Sequence, residues 1–209
     1  MEAVGTRVRS RLVRVVDGLA ENGLAVVPRF LPPGLVEPLG AEVRQQWVSG
    51  AFRQAAVGRG TRRQLRPDVR RDHVRWLDPL DCSPPERGWL RTMERLRRAL
   101  NRELQLGLLD FETHATVYPP GAFYRAHLDR FADADHRTVS CIAYLNHDWS
   151  VADGGALRIH LDGDAAGTFL DVSPLAGTLV VFDSGRYRHE VLAARRERMS
   201  LTGWFTRRV

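Results

Sequence analysis

The chain has 209 residues, of which 44% are hydrophobic and 27% are charged, a globular balance that argues against disorder. All 31 basic residues are arginine and 25 residues are acidic, which gives a net charge of +6 and excludes chemistry that depends on a lysine. No apolar run approaches the ~20 residues of a transmembrane helix, the arginine-dotted start does not resemble a signal peptide, and two cysteines are too few for a disulfide framework, so a cytoplasmic protein is expected.

The first half of the chain predicts three helices and one strand. Apolar residues recur at helical spacing over residues 7–21, and the Asn-Gly pair at 22–23 ends that helix. Residues 24–27 form a short apolar run typical of a strand, and a second helix is predicted over 32–47. A third helix is predicted over 85–106, where one stripe of apolar side chains indicates packing against the core.

From residue 111 onward the sequence predicts short strands separated by glycine- and proline-containing turns. Seven β-like runs occur, at residues 113–118, 138–145, 157–160, 168–172, 178–182, 189–192 and 199–205. Many short strands at regular spacing are typical of a barrel or a double-sheet jelly roll. We therefore expect residues 1–209 to form a single, mainly β domain, in which helices within residues 1–110 support a sheet core built by residues 111–209.

The side chains that most clearly indicate chemistry are His127 and Asp129. Residues two apart on a strand point to the same face, so an imidazole nitrogen and a carboxylate oxygen can meet at one point there. His189 opens a later predicted strand and offers a third ligand. Two histidines and one carboxylate on one side of a metal leave open positions, which is the facial triad of non-haem Fe(II) oxygenases. A His-x-Asp pair alone is a weak signal, since a core histidine and a turn aspartate give the same pattern.

Arg198 is the second element of this constellation. It follows His189 by nine residues on the next predicted strand, and adjacent antiparallel strands would bring it back beside the metal. A 2-oxo acid that chelates iron leaves a distal carboxylate, which a buried arginine neutralises and a hydroxyl such as that of Tyr144 can hydrogen-bond. Arg195 and Arg196 compete for this role but lie in a predicted turn. The other histidines lack comparable partners and are expected to be structural or at the surface: His73, His114, His136, His147 and His160.

Three sequence runs resemble the iron- and 2-oxoglutarate-dependent prolyl hydroxylases, in particular the animal oxygen-sensing protein prolyl hydroxylases and their bacterial relatives. The runs are CIAYLNHDW at 141–149, GGALRI at 154–159 and RRDHVRWLD at 70–78, the last resembling a substrate-side loop and the strand after it. Together they are much more specific than the triad alone, and the likeness extends over about residues 59–205. The chain departs from the animal enzymes in its arginine-rich loop and in polar residues on the first β-run.

The resemblance implies a double-stranded β-helix, the cupin-like jelly roll, with supporting helices. It implies that His127, Asp129 and His189 hold iron, and that Arg198 and Tyr144 bind the distal carboxylate of 2-oxoglutarate. Four further residues are expected to line the pocket for the cosubstrate and the metal: Tyr118, Ile142, Leu157 and Trp204.

The resemblance also implies an Fe(II)-dependent dioxygenase with 2-oxoglutarate and O2 as cosubstrates, succinate and CO2 as products, and ascorbate as the reductant that keeps the iron ferrous. The expected substrate is a prolyl residue in a protein, with a translation elongation factor such as Tu as a candidate, and no membrane partner is expected. Residues 59–75 contain seven arginines and two aspartates, so this loop either grips an acidic partner or is solvated. Asp72 could pair with Arg137 and so fix the loop.

Three other functions are compatible with the same residues. The same iron chemistry could act on a free amino acid or another small molecule, which a deep closed pocket would favour over an open groove. A nucleic-acid-demethylating oxygenase is suggested by the charge, but the arginines lack an aromatic patch for stacking a flipped base, so nucleic acid is not an expected partner. A jelly-roll binding module that has lost its iron is the non-enzymatic alternative, against which the intact triad and Arg198 count.

Overall fold

The computed structural model describes residues 2–58, 64–130, 136–161 and 167–208, and of residues 2–10 it describes only the backbone. The helices are α1 (Glu2–Asn22), α2 (Pro33–Val48) and α3 (Pro84–Leu104). The strands are β1 (Leu24–Val27), β2 (Arg53–Gln54), β3 (His73–Trp76), β4 (Asp110–Tyr118), β5 (Tyr124–His127), β6 (Arg137–Tyr144), β7 (Leu157–His160), β8 (Phe169–Val172), β9 (Leu179–Asp183), β10 (His189–Val191) and β11 (Arg198–Thr206). No helix in the described ranges combines the length and the apolar character needed to cross a bilayer.

The strands form two antiparallel sheets. The large sheet has seven strands in the order β1-β9-β6-β11-β4-β3-β2, and the small sheet has four in the order β5-β10-β7-β8. Each of the seven β-like runs of the sequence coincides with a strand, as does the predicted β1. β5 was not among those runs, although His127 was expected at the end of a strand there, and the two-residue β2 was not predicted.

The two faces of the large sheet have different partners. Side chains alternate between the faces of a strand, so β4, β6 and β11 at the centre of this sheet sort their residues by odd and even number. Odd-numbered residues such as Val117, Cys141 and Leu201 join the core beneath the helices. Even-numbered residues such as Tyr118 and Ile142 join a second cluster, shared with the small sheet. The face that points away from the helices is therefore the one available for a site.

Helix α3 supports the large sheet from the outside. Its N-terminus has a capping box, because Ser83 accepts a hydrogen bond from the Glu86 backbone N–H at 3.2 Å and the Glu86 carboxylate accepts one from the Ser83 N–H at 3.1 Å. Four residues of the predicted apolar stripe are fully buried, namely Trp89, Met93, Leu96 and Leu100, and the other two, Leu90 and Leu104, are partly buried against the same core. The helix layer thus holds the central strands rigid from behind.

Candidate active site

A cavity of about 490 Å³ lies between the two sheets. The small sheet contributes β5 and β10 to its wall, and the large sheet contributes alternate residues of β4, β6 and β11. The lining residues of these three strands are even-numbered except Arg137, which begins β6: Glu112, His114, Thr116, Tyr118, Ile142, Arg198, Ser200, Thr202 and Trp204. Trp76 and Leu128 line the same cavity and are exposed to solvent, so they mark its opening.

His127, Asp129 and His189 come together in the wall of this cavity. β5 and β10 are antiparallel neighbours, and their register sets His127 directly opposite His189. Asp129 follows β5, with Oδ1 3.7 Å from His127 Nε2 and Oδ2 3.6 Å from His189 Nε2. One ligand atom from each residue lies within 4.8 Å of the others, so the three can bind one first-row metal ion.

Hydrogen bonds set the tautomer of both imidazoles. The Nδ1–H of His127 donates to the carbonyl oxygen of Arg125 at 2.8 Å, and that of His189 donates to the carbonyl oxygen of Tyr187 at 3.0 Å. A carbonyl oxygen only accepts, so the ring proton is on Nδ1 and Nε2 keeps its lone pair for a metal. Burial and the neighbouring His127 lower the pKa of His189 to about 4, which keeps its ring neutral.

Asp129 is a buried carboxylate held in its ionised form. Burial alone would raise the pKa of Asp129, but His189, His127 and the Ser140 hydroxyl together hold it well below its usual range. Ser140 Oγ donates to Oδ2 of Asp129 at 2.7 Å and lies 2.9 Å from the hydroxyl of Ser184. The carboxylate is therefore oriented, and its charge calls for a cation. Two imidazoles and one carboxylate are a donor set that fits Fe(II).

Arg198 is a buried cation, 1% exposed, to which the described part of the chain offers no acidic partner. Its Nε donates to the carbonyl oxygen of Gly155 at 2.9 Å, and the φ of +68° at Gly155 favours glycine there. Nη2 of Arg198 and the hydroxyl of Tyr144 are buried, and neither has a hydrogen-bond partner among the described residues. The Tyr144 ring centre lies 5.1 Å from the guanidinium carbon.

These two unpartnered groups fit a carboxylate. Burial raises the pKa of Tyr144 to about 12, so its hydroxyl stays protonated and can donate a hydrogen bond. A buried guanidinium is most stable when an anion satisfies its remaining N–H groups. The distal carboxylate of 2-oxoglutarate has the charge and the acceptors that this place lacks.

The predicted route that brings Arg198 to the site was wrong. β11 lies in the large sheet between β4 and β6, whereas β10 lies in the small sheet, so the two strands are not neighbours. Arg198 therefore reaches the cavity from the sheet opposite the two histidines. Arg195 and Arg196 are absent from the described cavity wall, and the Arg196 guanidinium lies over the Trp149 ring at 5.0 Å.

Tyr144 is not among the lining residues of the cavity, whereas four other residues that the resemblance implies do line it: Tyr118, Ile142, Leu157 and Trp204. Tyr118 on β4 is directly opposite Arg198 on β11, and its ring centre is 5.0 Å from the guanidinium carbon. The indole N–H of Trp204 is buried, and the described residues give it no acceptor. Their roles toward a cosubstrate stay predictions.

His114 is a wall residue that the sequence argument left without a role. Its ring contacts the indoles of Trp76 and Trp204 at centroid distances of 4.8 Å and 5.4 Å, and the two indoles are 6.2 Å from each other. Burial lowers the pKa of His114 to about 4, and Nδ1 is 2.9 Å from the Thr116 hydroxyl oxygen. The signal that could have found it is the alternation along β4, which sets His114 and Thr116 on the same face as Tyr118.

The Arg70–Asp72 pair connects the arginine-rich segment to the metal ligands. Asp72 does not pair with Arg137, as had been suggested: it is fully buried and accepts two hydrogen bonds from Arg70, at 2.7 Å and 2.5 Å. The Arg70 guanidinium lies 4.0 Å from the ring centre of Tyr124, and that ring stacks on the His127 ring at 3.7 Å. Arg137 pairs instead with a carboxylate on β4. We call the Arg70–Asp72 ion pair the loop clamp.

Comparison with known proteins identifies relatives of this chain. The model of the 2OG-Fe(II) oxygenase superfamily matches residues 113–206. Egl nine homolog 1 of Homo sapiens is 32% identical over 197 residues, which cover 91% of this chain and 45% of that protein. The hypoxia-inducible factor prolyl hydroxylase of Caenorhabditis elegans is 27% identical over 98% of this chain and 29% of its own length. The chain thus spans less than half the length of these two curated relatives.

Solved structures extend the likeness to the whole fold. A prolyl-4-hydroxylase of Pseudomonas putida is 48% identical, with a TM-score of 0.83 over 95% of this chain and 100% of that one. A prolyl hydroxylase of Trichoplax adhaerens, in complex with a hypoxia inducible factor oxygen degradation domain peptide fragment, is 24% identical, with a TM-score of 0.84 over 99% of this chain and 93% of that one. The predicted double-stranded β-helix with supporting helices is confirmed.

Proposed function

Because this chain belongs to the prolyl hydroxylases of the 2OG-Fe(II) oxygenase superfamily, we propose that it hydroxylates a prolyl residue in a protein substrate. The proposed enzyme is an Fe(II)-dependent dioxygenase that consumes 2-oxoglutarate and O2 and releases succinate and CO2. One oxygen atom of O2 enters a prolyl C–H bond and the other enters succinate. Ascorbate is the proposed reductant that keeps the iron ferrous.

The observation that carries this proposal is that two buried charges of opposite sign, the Asp129 carboxylate and the Arg198 guanidinium, face one cavity. His127, Asp129 and His189 would hold the iron on one side and leave its other positions open. Arg198 in the facing sheet would bind the distal carboxylate of 2-oxoglutarate, with Tyr144 donating a hydrogen bond to it. When bound, iron and 2-oxoglutarate supply the oxidising chemistry, and the chain supplies charge placement and geometry.

The other wall residues shape and shield the cosubstrate in this proposal. Ile142 and Leu157 are buried apolar side chains that would keep water away from it. Burial raises the pKa of Tyr118 well above its ordinary value, so its hydroxyl is a neutral donor in the same wall. The indole N–H of Trp204 offers a second donor there.

A protein substrate is supported by the form of the cavity opening. Trp76, Leu128 and Arg125 line the cavity and are exposed, so a chain that lies across the opening has both apolar and charged side chains to contact. The Trichoplax adhaerens relative was solved with a peptide fragment. Elongation factor Tu is the candidate substrate that the sequence resemblance suggests, and no nucleic acid is invoked.

The proposal is tested by reconstituting the protein anaerobically with Fe(II), 2-oxoglutarate and ascorbate, and then admitting air in the presence of peptides that tile elongation factor Tu. We expect succinate in step with the mass gain of one oxygen atom on a peptidyl proline. A parallel arm contains free L-proline, and product in that arm alone would replace the protein substrate by a small molecule. The variant His127→Ala should form no succinate; turnover at the wild-type rate would exclude the triad.

We also propose that the enzyme works in a reducing compartment such as the cytoplasm. Cys82 and Cys141 are both free and buried. Burial raises the pKa of the Cys141 thiol, which disfavours the reactive thiolate. Two unreactive thiols are the pattern expected where disulfides do not form.

A further inference from the structure

The arginines of the cavity wall differ in how their charge is balanced. Arg70 pairs with Asp72, and Arg137 pairs with a carboxylate on β4 at 2.6 Å. Arg198 has no acidic partner in the described part of the chain and is the proposed site for the cosubstrate carboxylate. Arg125 is the fourth wall arginine, and the described residues give it no hydrogen bond to a carboxylate either. A carboxylate from a second ligand would therefore neutralise Arg125 at the cavity opening, as the carboxylate of 2-oxoglutarate would neutralise Arg198 inside the cavity.

Arg125 is held in place through contacts that leave the outer edge of its guanidinium unused. Its Nε donates to the backbone carbonyl of Asp68, and its guanidinium carbon lies 5.8 Å from the ring centre of Phe123. Arg71 approaches the same ring at 5.0 Å, and its Nε donates to the backbone carbonyl of Pro67 at 2.9 Å. Two exposed guanidinium groups thus lie near the same aromatic ring, and neither hydrogen-bonds to a described carboxylate.

The backbone beneath these two arginines is fixed. The Arg71 N–H donates to the carbonyl of Phe123 at 3.0 Å, and the Arg125 N–H donates to the carbonyl of Val69 at 2.9 Å. The Asp68 carboxylate beside them accepts two hydrogen bonds from the arginine two residues earlier, at 3.0 Å and 2.8 Å, so it is already engaged. Residues 59–63 of the arginine-rich segment lie outside the described residues. Two guanidinium groups that are already held in place lose little side-chain entropy when they bind an anion.

We propose that the terminal nitrogens of Arg125 and Arg71 form a subsite for the carboxylate of an aspartate or glutamate close to the target proline. Arg125 precedes the metal ligand His127 by two residues on β5, whose pairing with β10 is irregular here, and both residues line the cavity, so their Cα atoms are at most about 7 Å apart. An extended polypeptide advances ~3.3 Å per residue, so the acidic residue would lie within about four positions of the proline. This inference rests on the proposed function and names its substrate class.

The test uses fluorescein-labelled peptides of Ala, Gly and Ser around one central proline, with a single Asp moved along the sequence and with Asn at the same positions as the matched set. Binding is measured by fluorescence anisotropy to the full chain loaded with Mn(II) and 2-oxoglutarate under nitrogen. We expect Asp peptides to bind about fivefold more tightly than Asn peptides at low salt, within a window of about four residues, and the gain to shrink as salt rises.

Variants assign the effect to this subsite. Arg125→Gln should remove the preference for Asp, Arg71→Gln should weaken it, and Arg125→Glu should transfer the preference to peptides with Arg at the same position. The control is Arg98→Gln, an exposed arginine of α3 that pairs with Glu94, and it should keep the preference. Because Arg125→Glu is expected to reverse the charge preference, it distinguishes the loss of this subsite from a general loss of peptide binding.

The outcomes separate this inference from the proposed function. Equal binding of Asp and Asn peptides, weak or strong, overturns the subsite, as does a preference that survives Arg125→Gln. In parallel aerobic reactions with Fe(II), Asp-dependent binding without any oxygen added to the proline overturns the proposed function and leaves the subsite standing. Hydroxylation that is indifferent to the acidic residue supports the function and overturns the subsite.

Discussion

Asp129 and Arg198 are buried ions of opposite sign that face one cavity from opposite sheets. The hydroxyl of Ser140 orients the carboxylate, and a backbone carbonyl orients the guanidinium. A buried charge without a counter-charge costs several kcal/mol of stability, so each is a place where ligand affinity is gained at the expense of the ligand-free fold.

Replacing Arg198 by methionine should therefore separate stability from cosubstrate binding. We expect Arg198→Met to raise the free energy of unfolding of the ligand-free protein by about 1–3 kcal/mol, because a side chain of similar length no longer buries a charge. The affinity for 2-oxoglutarate should fall about 100-fold, the loss of a charge-assisted pair. Urea unfolding and a calorimetric titration with 2-oxoglutarate measure the two effects. The exposed neighbour Arg196→Met is the control, and equal behaviour of the two variants would contradict the assignment.

His114 predicts a pH dependence of stability. Its folded pKa of about 4 is below the ordinary histidine value of ~6.5, so the unfolded chain binds more protons at acid pH and stability falls as the pH falls through that window. Between pH 8 and pH 5 this single group should remove about 2 kcal/mol of unfolding free energy. His114→Leu should abolish that part of the loss.

Urea unfolding of the wild type and His114→Leu at both pH values gives the comparison, with His147→Leu at an exposed position as the control. Parallel pH profiles for wild type and His114→Leu would show that His114 is not a buried neutral ring.

At the level of elements, the central strands of the large sheet could be predicted from the sequence, whereas the order of the strands in the sheets could not. The period-two pattern of β4, β6 and β11 is visible in the sequence because one face is apolar and packs against helices. The two-residue β2 has too few residues to show a period, and β5 owes its pairing to β10, far along the chain. Strand order is a tertiary property, which is why Arg198 was predicted beside β10 and lies on the facing sheet.

In the candidate site, too, local patterns could be predicted from the sequence and tertiary contacts could not. The His-x-Asp pair is a local pattern, and together with His189 and the family resemblance it led to residues that the fold does bring together. For the loop clamp, Asp72 was singled out but its predicted partner Arg137 was wrong, because the sequence does not distinguish Arg70 from the other arginines until burial is known. The role of each residue toward iron or 2-oxoglutarate stays a prediction.

The loop clamp predicts a link between the arginine-rich segment and the metal ligand His127. Asp72→Asn leaves the mostly buried Arg70 without its partner, so we expect a loss of about 3 kcal/mol in unfolding free energy. The stack of Tyr124 on His127 should loosen, and the affinity for Mn(II) should fall about tenfold, within the range seen when outer contacts of a metal ligand are removed.

The chain contains a matched control for this substitution. Arg66 and Asp68 form the same two-residue bidentate pair in an exposed place, so Asp68→Asn should leave both the unfolding free energy and Mn(II) binding close to those of the wild type. Thermal unfolding and a Mn(II) titration followed by electron paramagnetic resonance measure both variants. If Asp72→Asn weakened the fold but not Mn(II) binding, the clamp would support only the loop.

At the scale of the whole molecule, the proposed ligands would join the two sheets. The metal ligands come from β5, β10 and the turn after β5 in the small sheet, whereas Arg198 comes from β11 in the large one. A 2-oxoglutarate molecule chelated at one end and neutralised at the other would therefore connect both layers of the fold.

We expect Mn(II) and 2-oxoglutarate together to raise the melting temperature by more than the sum of their separate effects. A ligand at about 100 times its dissociation constant stabilises the native state by ~2.7 kcal/mol, and chelation makes each ligand increase the affinity for the other. Differential scanning calorimetry with either ligand, both, or both plus a chelator measures this. Strictly additive shifts would place the two ligands in independent sites.

The sorting of β11 into odd and even residues limits how this protein can diversify over evolutionary time. One codon inserted after Arg198 would turn Ser200 and Trp204 toward the helices and would bring Leu201 and Phe205 into the cavity. A single event would ruin the supporting core and the chemistry together. New specificities in this lineage must then arise by exchanging one side chain for another along the central strands, while changes in length are confined to the turns between them.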